Sequence, residues 1–172
     1  GSMTNASGAL DMVMGKRGSP PLLFGSENEL RNESVTSLSV DGGGLLVTGW
    51  LSDGSDLAGD LCGAGCQGDL RPLSAESCDS DMIQNDAFWL LIDASATPTL
   101  APGMPAVGRT IGGCLHQRAV DAVLTADAMT LLLEIEGETS IDLLDGESTK
   151  VTAPDQTKAG VVVRLPRPAA AP

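Results

Sequence analysis

The stretch that decides the fold is Ala119–Ile135, which reads Ala-Val-Asp-Ala-Val-Leu-Thr-Ala-Asp-Ala-Met-Thr-Leu-Leu-Leu-Glu-Ile. Its first part, Val120–Leu124, has the length and the Val and Leu content of a short strand. Thr125 is a residue type that caps helices, and Asp127 follows where a helix dipole favours a carboxylate. The residues after Asp127 are apolar on a broad face. The stretch therefore predicts a strand that turns directly into a helix ending at Ile135.

The chain on either side predicts more strands and helices in alternation. Apolar runs indicate strands at Pro20–Phe24, Leu45–Leu51 and Ala87–Ile92, the last buried on both faces. Helices are predicted from Ser26, which has Glu29 at capping-box spacing, and over Val107–Gln117. Strands that alternate with helices form parallel sheets. The predicted fold class is therefore α/β, with a small parallel four-stranded sheet flanked by three helices.

The composition divides the chain into three parts. Residues 1–19 are small and polar, which is typical of a flexible tail. Residues 20–150 hold the predicted domain, and residues 151–172 form an extension with a Pro/Ala-rich end, in which Val161–Leu165 suits an edge strand. Within the domain, residues 52–86 carry seven aspartates and few apolar residues. This composition predicts a long acidic insertion after the second strand.

The charge limits the classes of partner. The chain has 10 Lys and Arg against 23 Asp and Glu, a net charge of −13. Phosphate backbones and anionic membranes attract basic surfaces, so the balance argues against nucleic acid or a membrane as partner. No apolar run has the length that a bilayer requires. The four cysteines are too few for a disulfide scaffold, and reduced thiols in an intracellular protein are expected.

Three short motifs in this order resemble those of a BRCT domain. The glycines Gly42–Gly44 stand where that family has a glycine pair between its first helix and second strand. Arg109-Thr110 matches the Arg-Thr pair that often opens the second helix, and Met129 takes the place of the signature tryptophan of the third helix. Gly112 stands where many phosphopeptide-binding members have a lysine. The resemblance covers roughly residues 20–145 and implies a single, divergent BRCT-like domain.

The resemblance implies a phosphate-binding pocket formed by six residues. A serine would offer its hydroxyl, glycines would let backbone N–H groups approach, and a helix N-terminus would supply an arginine and a threonine. These residues are Ser26, Gly25, Gly42, Gly43, Arg109 and Thr110. The alternative stays open that Ser26 is an ordinary helix cap, that the glycines end a helix and that Arg109 is solvated.

Metal binding and catalysis are the other chemistries that the residue types allow. Thiolates and imidazole are zinc ligands, and weak candidates for a zinc site are Cys62, Cys66, Cys78, Cys114 and His116. The Cys-x-x-x-Cys spacing of the first pair is looser than that of common zinc motifs. His116 is the single histidine of the chain and has no evident nucleophile partner in the sequence. No metal or cofactor is therefore predicted.

The function implied is that of a protein-interaction module and not of an enzyme. The expected ligand is a phosphorylated or acidic segment of a protein partner. The resemblance implies a nuclear setting, in DNA-damage signalling, replication, the cell cycle or chromosome segregation, with a kinetochore protein as one candidate. Two alternatives stay open, namely a small α/β enzyme that uses His116 with Cys114, and a purely structural scaffold domain.

Overall fold

A computed structural model of the chain describes residues 3–4, 10–11, 33–52, 66–67, 85–93, 106–113, 115–144, 146–154 and 157–168. In these residues the fold is all β, with nine strands of five to nine residues and no helix. The strands are β1 (Glu33–Asp41), β2 (Gly44–Ser52), β3 (Asn85–Asp93), β4 (Ala106–Gly113), β5 (Gln117–Leu124), β6 (Ala128–Glu136), β7 (Glu138–Asp142), β8 (Ser148–Thr152) and β9 (Lys158–Pro166). No helix of the described residues is long and apolar enough to cross a membrane.

The nine strands form two antiparallel sheets. The larger sheet has the order β8-β7-β4-β3-β2-β1, and a two-residue segment, Cys66–Gln67, pairs in parallel with the start of β4. The smaller sheet has the order β9-β6-β5. A further short antiparallel pair joins Met3–Thr4 to Leu10–Asp11. The two main sheets pack face to face over one hydrophobic core, so the described chain is a β sandwich.

The chain changes sheets three times among the described strands, and at two of these corners a residue has a positive φ. Gly137, with a φ of 73°, separates β6 in the smaller sheet from β7 in the larger one, and its carbonyl accepts the Ala153 N–H. Leu115, with a φ of 80°, lies between β4 in the larger sheet and β5 in the smaller one. Positive φ is easy for glycine and strained for leucine, so the second corner is held by its surroundings.

The core follows the two-residue period of strands. On β6 the buried residues are Met129, Leu131, Leu133 and Ile135, whereas Leu132 is 40% exposed. On β3 both faces are buried, because Trp89 belongs to the core between the sheets while Phe88 and Leu90 are buried on the opposite face. Burying a large apolar side chain contributes about 1.5–3 kcal/mol. The burial of apolar side chains that this alternation produces is the main source of the sandwich's stability.

Side chains of β1 join the two sheets along one seam. Thr36 Oγ1 donates to the carbonyl of Ala119 at 2.6 Å, and Ser39 Oγ accepts the Leu124 N–H at 2.9 Å. Ser37 Oγ donates to Asp121 Oδ1 at 2.7 Å. Strand β1, at the edge of the larger sheet, therefore lies beside β5. Hydroxyl groups of β1 make the hydrogen bonds to β5 that a neighbouring backbone would otherwise make.

The Asp121 carboxylate takes part in this seam as an acceptor. It accepts hydrogen bonds from the Ser37 hydroxyl and from the Ala122 N–H. Both bonds favour the ionised form, so they hold the pKa of Asp121 below its ordinary value. The seam therefore has a charged acceptor at neutral pH.

The predicted parallel four-stranded sheet flanked by three helices is wrong. The helix expected from Ser26 is replaced over 33–41 by β1, the helix expected over Val107–Gln117 by β4, and the helix ending at Ile135 by β6. The strands predicted at Leu45–Leu51, Ala87–Ile92, Val120–Leu124 and Val161–Leu165 are confirmed, and the last is an edge strand of the smaller sheet. The pairing of neighbouring strands outweighed the weak local helix propensities of these segments, since the stability of a strand comes from cross-strand packing.

The turn between β5 and β6 explains the misplaced third helix. The Ala128 N–H donates to Thr125 Oγ1, the bond expected of a helix cap, but the Thr125 N–H donates to the Ala128 carbonyl. This second bond closes a tight hairpin turn over residues 125–128, and β6 returns antiparallel to β5. The predicted strand at Pro20–Phe24 and nearly all of the predicted insertion at 52–86 lie outside the described residues.

Candidate functional site

The six residues predicted to bind phosphate do not form one described pocket. Gly25 and Ser26 lie outside the described residues. Gly42 and Gly43 form the tight turn between β1 and β2, with φ angles of 53° and 81°. Two consecutive positive φ angles are typical of the hairpin turn that glycine favours. The two glycines therefore end a hairpin rather than a helix.

The group beside this turn is an arginine from the end of the chain. Arg167 donates from Nη2 to the Asp41 carbonyl at 3.2 Å and from Nη1 to the Thr125 carbonyl at 3.2 Å. Its Nη1 also lies 3.5 Å from Asp41 Oδ2. Arg167 thus links the β1–β2 turn to the β5–β6 turn, and a side chain at Gly44 would overlap its guanidinium. The glycines permit this internal contact.

Arg109 and Thr110 lie on β4, away from the glycine turn. Arg109 is opposite Trp89 on β3, and Trp89 is opposite Thr48 on β2. Thr48 and Gly43 are separated by five residues, roughly 15 Å along the strand direction. Arg109 and the glycine turn therefore do not line one pocket in the described residues, and the six-residue phosphate site stays a prediction.

Arg109 and Thr110 instead line an open pocket beside the β7–β8 hairpin. The pocket has a volume of about 340 Å³. Its other lining residues are Ser140, Asp142, Gly146, Glu147 and Ser148. The hairpin loop is held by the Leu144 N–H, which donates to Asp142 Oδ1 at 2.8 Å, and by the Leu143 N–H, which donates to the Glu147 carbonyl at 3.0 Å. These bonds fix the outer wall of the pocket.

The inner wall is a stretch of β4 that has a strand partner on one side only. Residues 108–111 pair with β3. On the opposite edge, Gly112 and Gly113 pair with β7, and Ala106 and Val107 pair with the Cys66–Gln67 segment. No described strand pairs with residues 108–111 on that edge. We call residues 108–111 the open stretch of β4.

The Arg109 side chain covers part of this open stretch. Its Nη1 donates to the carbonyl of Gly108 at 2.8 Å, and its Nε donates to Asp142 Oδ2 at 3.3 Å. The Arg109 side chain is 30% exposed and that of Asp142 is 42% exposed. A pair this exposed contributes at most about 1 kcal/mol, so a ligand can displace it at little cost.

Thr110 also lines the pocket and has an unsatisfied, buried hydroxyl. The residue is 6% exposed, and its Oγ1 is buried without a hydrogen-bond partner. An unpaired buried hydroxyl costs about 1–3 kcal/mol. A ligand group that reached it would recover part of this cost. Together with Ser140 and Ser148, the pocket presents three hydroxyl-bearing residues.

The charges in the pocket are unequal. Arg109 is the single cation among its lining residues, against the carboxylates of Asp142 and Glu147. The whole chain, with these residues included, carries a net charge of −13. The pocket is therefore better suited to a neutral or basic group than to a phosphate, which would have to compete with Asp142 for Arg109.

The candidate metal ligands are not brought together in the described residues. Cys62, Cys78 and Cys114 lie outside them, and Cys66 lies in the short segment beside β4. His116 pairs with Asn85 through an isolated backbone bridge, and its Nδ1 is buried without a hydrogen-bond partner. Within the described part of the chain, no three His, Cys, Asp or Glu residues form a metal-binding group. The enzyme that would use His116 with Cys114 gains no support from these positions.

Arg167 and the pocket residues contributed by β7 and its loop were not predicted from the sequence. Ser140, Asp142, Glu147 and Ser148 reach Arg109 only because β7 pairs with β4 at Ser140↔Gly112. An Asp-Gly pair at 145–146 is a hairpin signal that could have placed the turn. It could not have identified the strand that lies beside it.

Comparisons with known proteins found no protein similar to this chain. No family model matches the chain, and no match was found among curated proteins or among solved structures. The BRCT resemblance thus stays a prediction from three short motifs, while the fold that it implies is not the fold of the described residues.

Proposed function

We propose that the sandwich is a protein-interaction module that binds an extended segment of a partner at the open stretch of β4. The observation that carries the proposal is the break in pairing along one edge of this strand. Residues 106–107 and 112–113 have strand partners there, and residues 108–111 between them have no described partner. A strand added at this position would complete the edge.

Backbone hydrogen bonds would supply the affinity. The open stretch has four residues and spans about 13 Å, the length of a short extended segment. Gly108, Thr110 and Ile111 are buried, so the groups that cover them must move aside when the segment binds. The Gly108 carbonyl is at present capped by the Arg109 guanidinium. An incoming N–H replaces that bond, and the released guanidinium turns toward solvent. The pocket beside the stretch then receives one side chain of the segment.

The lining residues favour a basic side chain in that pocket. Asp142 and Glu147 would face a lysine or arginine, while Thr110, Ser140 and Ser148 offer hydroxyl groups. The acidic or phosphorylated segment expected from the sequence would instead need Arg109, which Asp142 already engages. Charge therefore supports a basic segment over an acidic one, and the nuclear setting stays a prediction.

Peptide selection followed by binding measurements tests the proposal. Purified protein is used to select from a random peptide display library, and the dissociation constant of a selected peptide is measured by calorimetry. We expect basic peptides whose affinity falls about tenfold or more in Asp142→Asn, the equivalent of about 1.4 kcal/mol. Arg109→Ala should leave binding unchanged or tighten it, because the Gly108 carbonyl becomes free. N-methylation of alternate peptide residues should abolish binding.

The matched control is Asp127→Asn, which removes another exposed aspartate at 3.3 Å from an arginine, Arg164, outside the pocket. It should leave the affinity unchanged. A selected peptide whose binding is insensitive to Asp142→Asn and to N-methylation would contradict the proposed site. Loss of binding in Arg109→Ala with an acidic or phosphoserine peptide would show that the ligand's charge has been assigned the wrong way round.

A further inference from the structure

β9 is a nine-residue edge strand of the smaller sheet. All nine of its residues, Lys158–Pro166, pair with β6, and no described strand pairs with the other edge. Every second residue of β9 faces away from the core and is exposed. These residues are Lys158, Gly160, Val162, Arg164 and Pro166. Val162 is 70% exposed. An exposed edge of this length is a template for pairing with another strand.

We infer that this edge pairs with the same edge of a second copy of the chain, antiparallel and centred on Val162. A two-fold axis at Val162 uses all nine residues and sets outward side chains against outward side chains. Val162 then faces the partner's Val162, Gly160 faces the partner's Arg164, and Lys158 faces the partner's Pro166. The two smaller sheets become one six-stranded sheet.

Charge and apolar contact favour this register over its two neighbours. A shift that centres the pairing on Val161 would place Lys158 directly opposite the partner's Arg164, and like charges facing each other across strands are destabilising. A shift that centres it on Val163 would separate the two Val162 side chains and place Lys158 opposite Pro168, beyond the end of β9. The register centred on Val162 avoids both, because the two cations face residues without charge.

Gly160 leaves room for the arginine that this register brings. A Cβ at Gly160 would meet no atom within 4 Å. On β6, Gly160 is paired with Glu134. The Glu134 carboxylate lies 3.0 Å from Lys158 Nζ and 2.7 Å from Arg118 Nη2, and hydrogen bonds from these two residues hold its pKa below the ordinary value. It is therefore ionised where the partner's Arg164 would arrive, although it already pairs with two cations and Arg164 itself lies 3.3 Å from Asp127 Oδ2.

An apolar row crosses the smaller sheet and ends at this edge. Leu132 is paired with Val162, and both are exposed, at 40% and 70%. Val120, the residue skipped by the bulge of β5 beside Leu132, is 45% exposed. The proposed pairing joins two such rows through the facing Val162 side chains. Two nine-residue strands bury less than a standard interface, so we expect a weak dimer that dissociates on dilution.

Sedimentation of the full chain from about 5 to 500 µM tests the dimer. The wild type should pass from monomer to dimer over this range. Val162→Lys places two lysines against each other at the axis and should weaken association at least tenfold. The control is Val123→Lys, which adds the same charge at a valine that is 53% exposed on β5 of the same sheet. It should dimerise like the wild type.

Both valines are exposed, so both variants are expected to fold, and thermal unfolding checks this directly. A wild type that stays monomeric at 500 µM would overturn the inference. So would equal dimerisation of Val162→Lys and wild type, or equal loss in both lysine variants. None of these results bears on peptide binding at β4, which lies in the other sheet.

Discussion

Gly49→Ala is expected to destabilise the fold by about 3 kcal/mol or more, enough to unfold a marginally stable domain. Gly49 lies on β2 opposite Val35, where β1 carries a bulge between Val35 and Ser37. A Cβ at this position would overlap the carbonyl oxygen of Ser34 and would lie 2.8 Å from a ring carbon of Phe88. The Ser34 carbonyl is backbone, so it cannot move aside without breaking the β1–β2 pairing.

Urea unfolding followed by fluorescence of Trp50 and Trp89 measures the effect. The control is Gly160→Ala, in which the added methyl group meets no atom within 4 Å. It should change the free energy of unfolding by no more than about 0.5 kcal/mol, as is usual for surface substitutions. Equal stability of the two variants would show that β1 and β2 are not as close as described here.

Leu133→Ala is expected to lower the free energy of unfolding by about 2–5 kcal/mol, while Leu132→Ala lowers it by less than about 1 kcal/mol. The two leucines are neighbours on β6, but Leu133 is 1% exposed and Leu132 is 40% exposed. Truncation of Leu133 removes core contacts and leaves a cavity between the sheets. Truncation of Leu132 removes a side chain on the outer face, which is already partly in water.

This pair of variants also tests whether the residues of β6 form a strand or a helix. In a strand, Leu131 and Leu133 share the buried face and Leu132 points the other way. In a helix, Leu131, Leu132 and Ile135 would share one face and Leu133 would lie off it. Matched denaturant titrations at low protein concentration, where self-association is absent, give the comparison. A larger loss for Leu132→Ala than for Leu133→Ala would contradict the described hairpin.

The elements that could be predicted are those whose apolar runs are compatible with a buried strand and not with a helix. Leu45–Leu51 and Ala87–Ile92 are too short for buried helices and rich in Val, Trp and Leu, and both are central strands. β6 was not predictable in this way, because three consecutive leucines at 131–133 hide its two-residue period. Ala, Leu, Met and Glu also favour a helix locally. Pairing with β5 and β9 decided the outcome.

The cap at Thr125 shows how a correct local contact can support a wrong element. Its side chain accepts the Ala128 N–H as an N-cap would. The same bond also suits a hairpin turn, and nothing within four residues separates the two. What distinguishes them is the pairing of β6 with β5 across the turn and with β9, which lies much later in the sequence.

The candidate site was half predictable for the same reason. Arg109 and Thr110 stand out in the sequence and do line a pocket. Their surroundings come from β7 and the loop after it, through the pairing of Ser140 with Gly112. The carboxylate of Asp142, which changes the expected charge of the ligand, could not be placed beside Arg109 without that register.

The central claim is that residues 119–135 form an antiparallel hairpin of a β sandwich, and the dimer proposed at β9 depends on it because β9 pairs with the second strand of this hairpin. The most direct measurement is a nuclear Overhauser spectrum of isotopically labelled protein. We expect backbone contacts between Ala122 and Leu131 and between Val123 and Thr130, the facing pairs of β5 and β6, with carbon shifts typical of strands. Contacts between residues three apart over 128–135, together with helical carbon shifts, would contradict the sandwich.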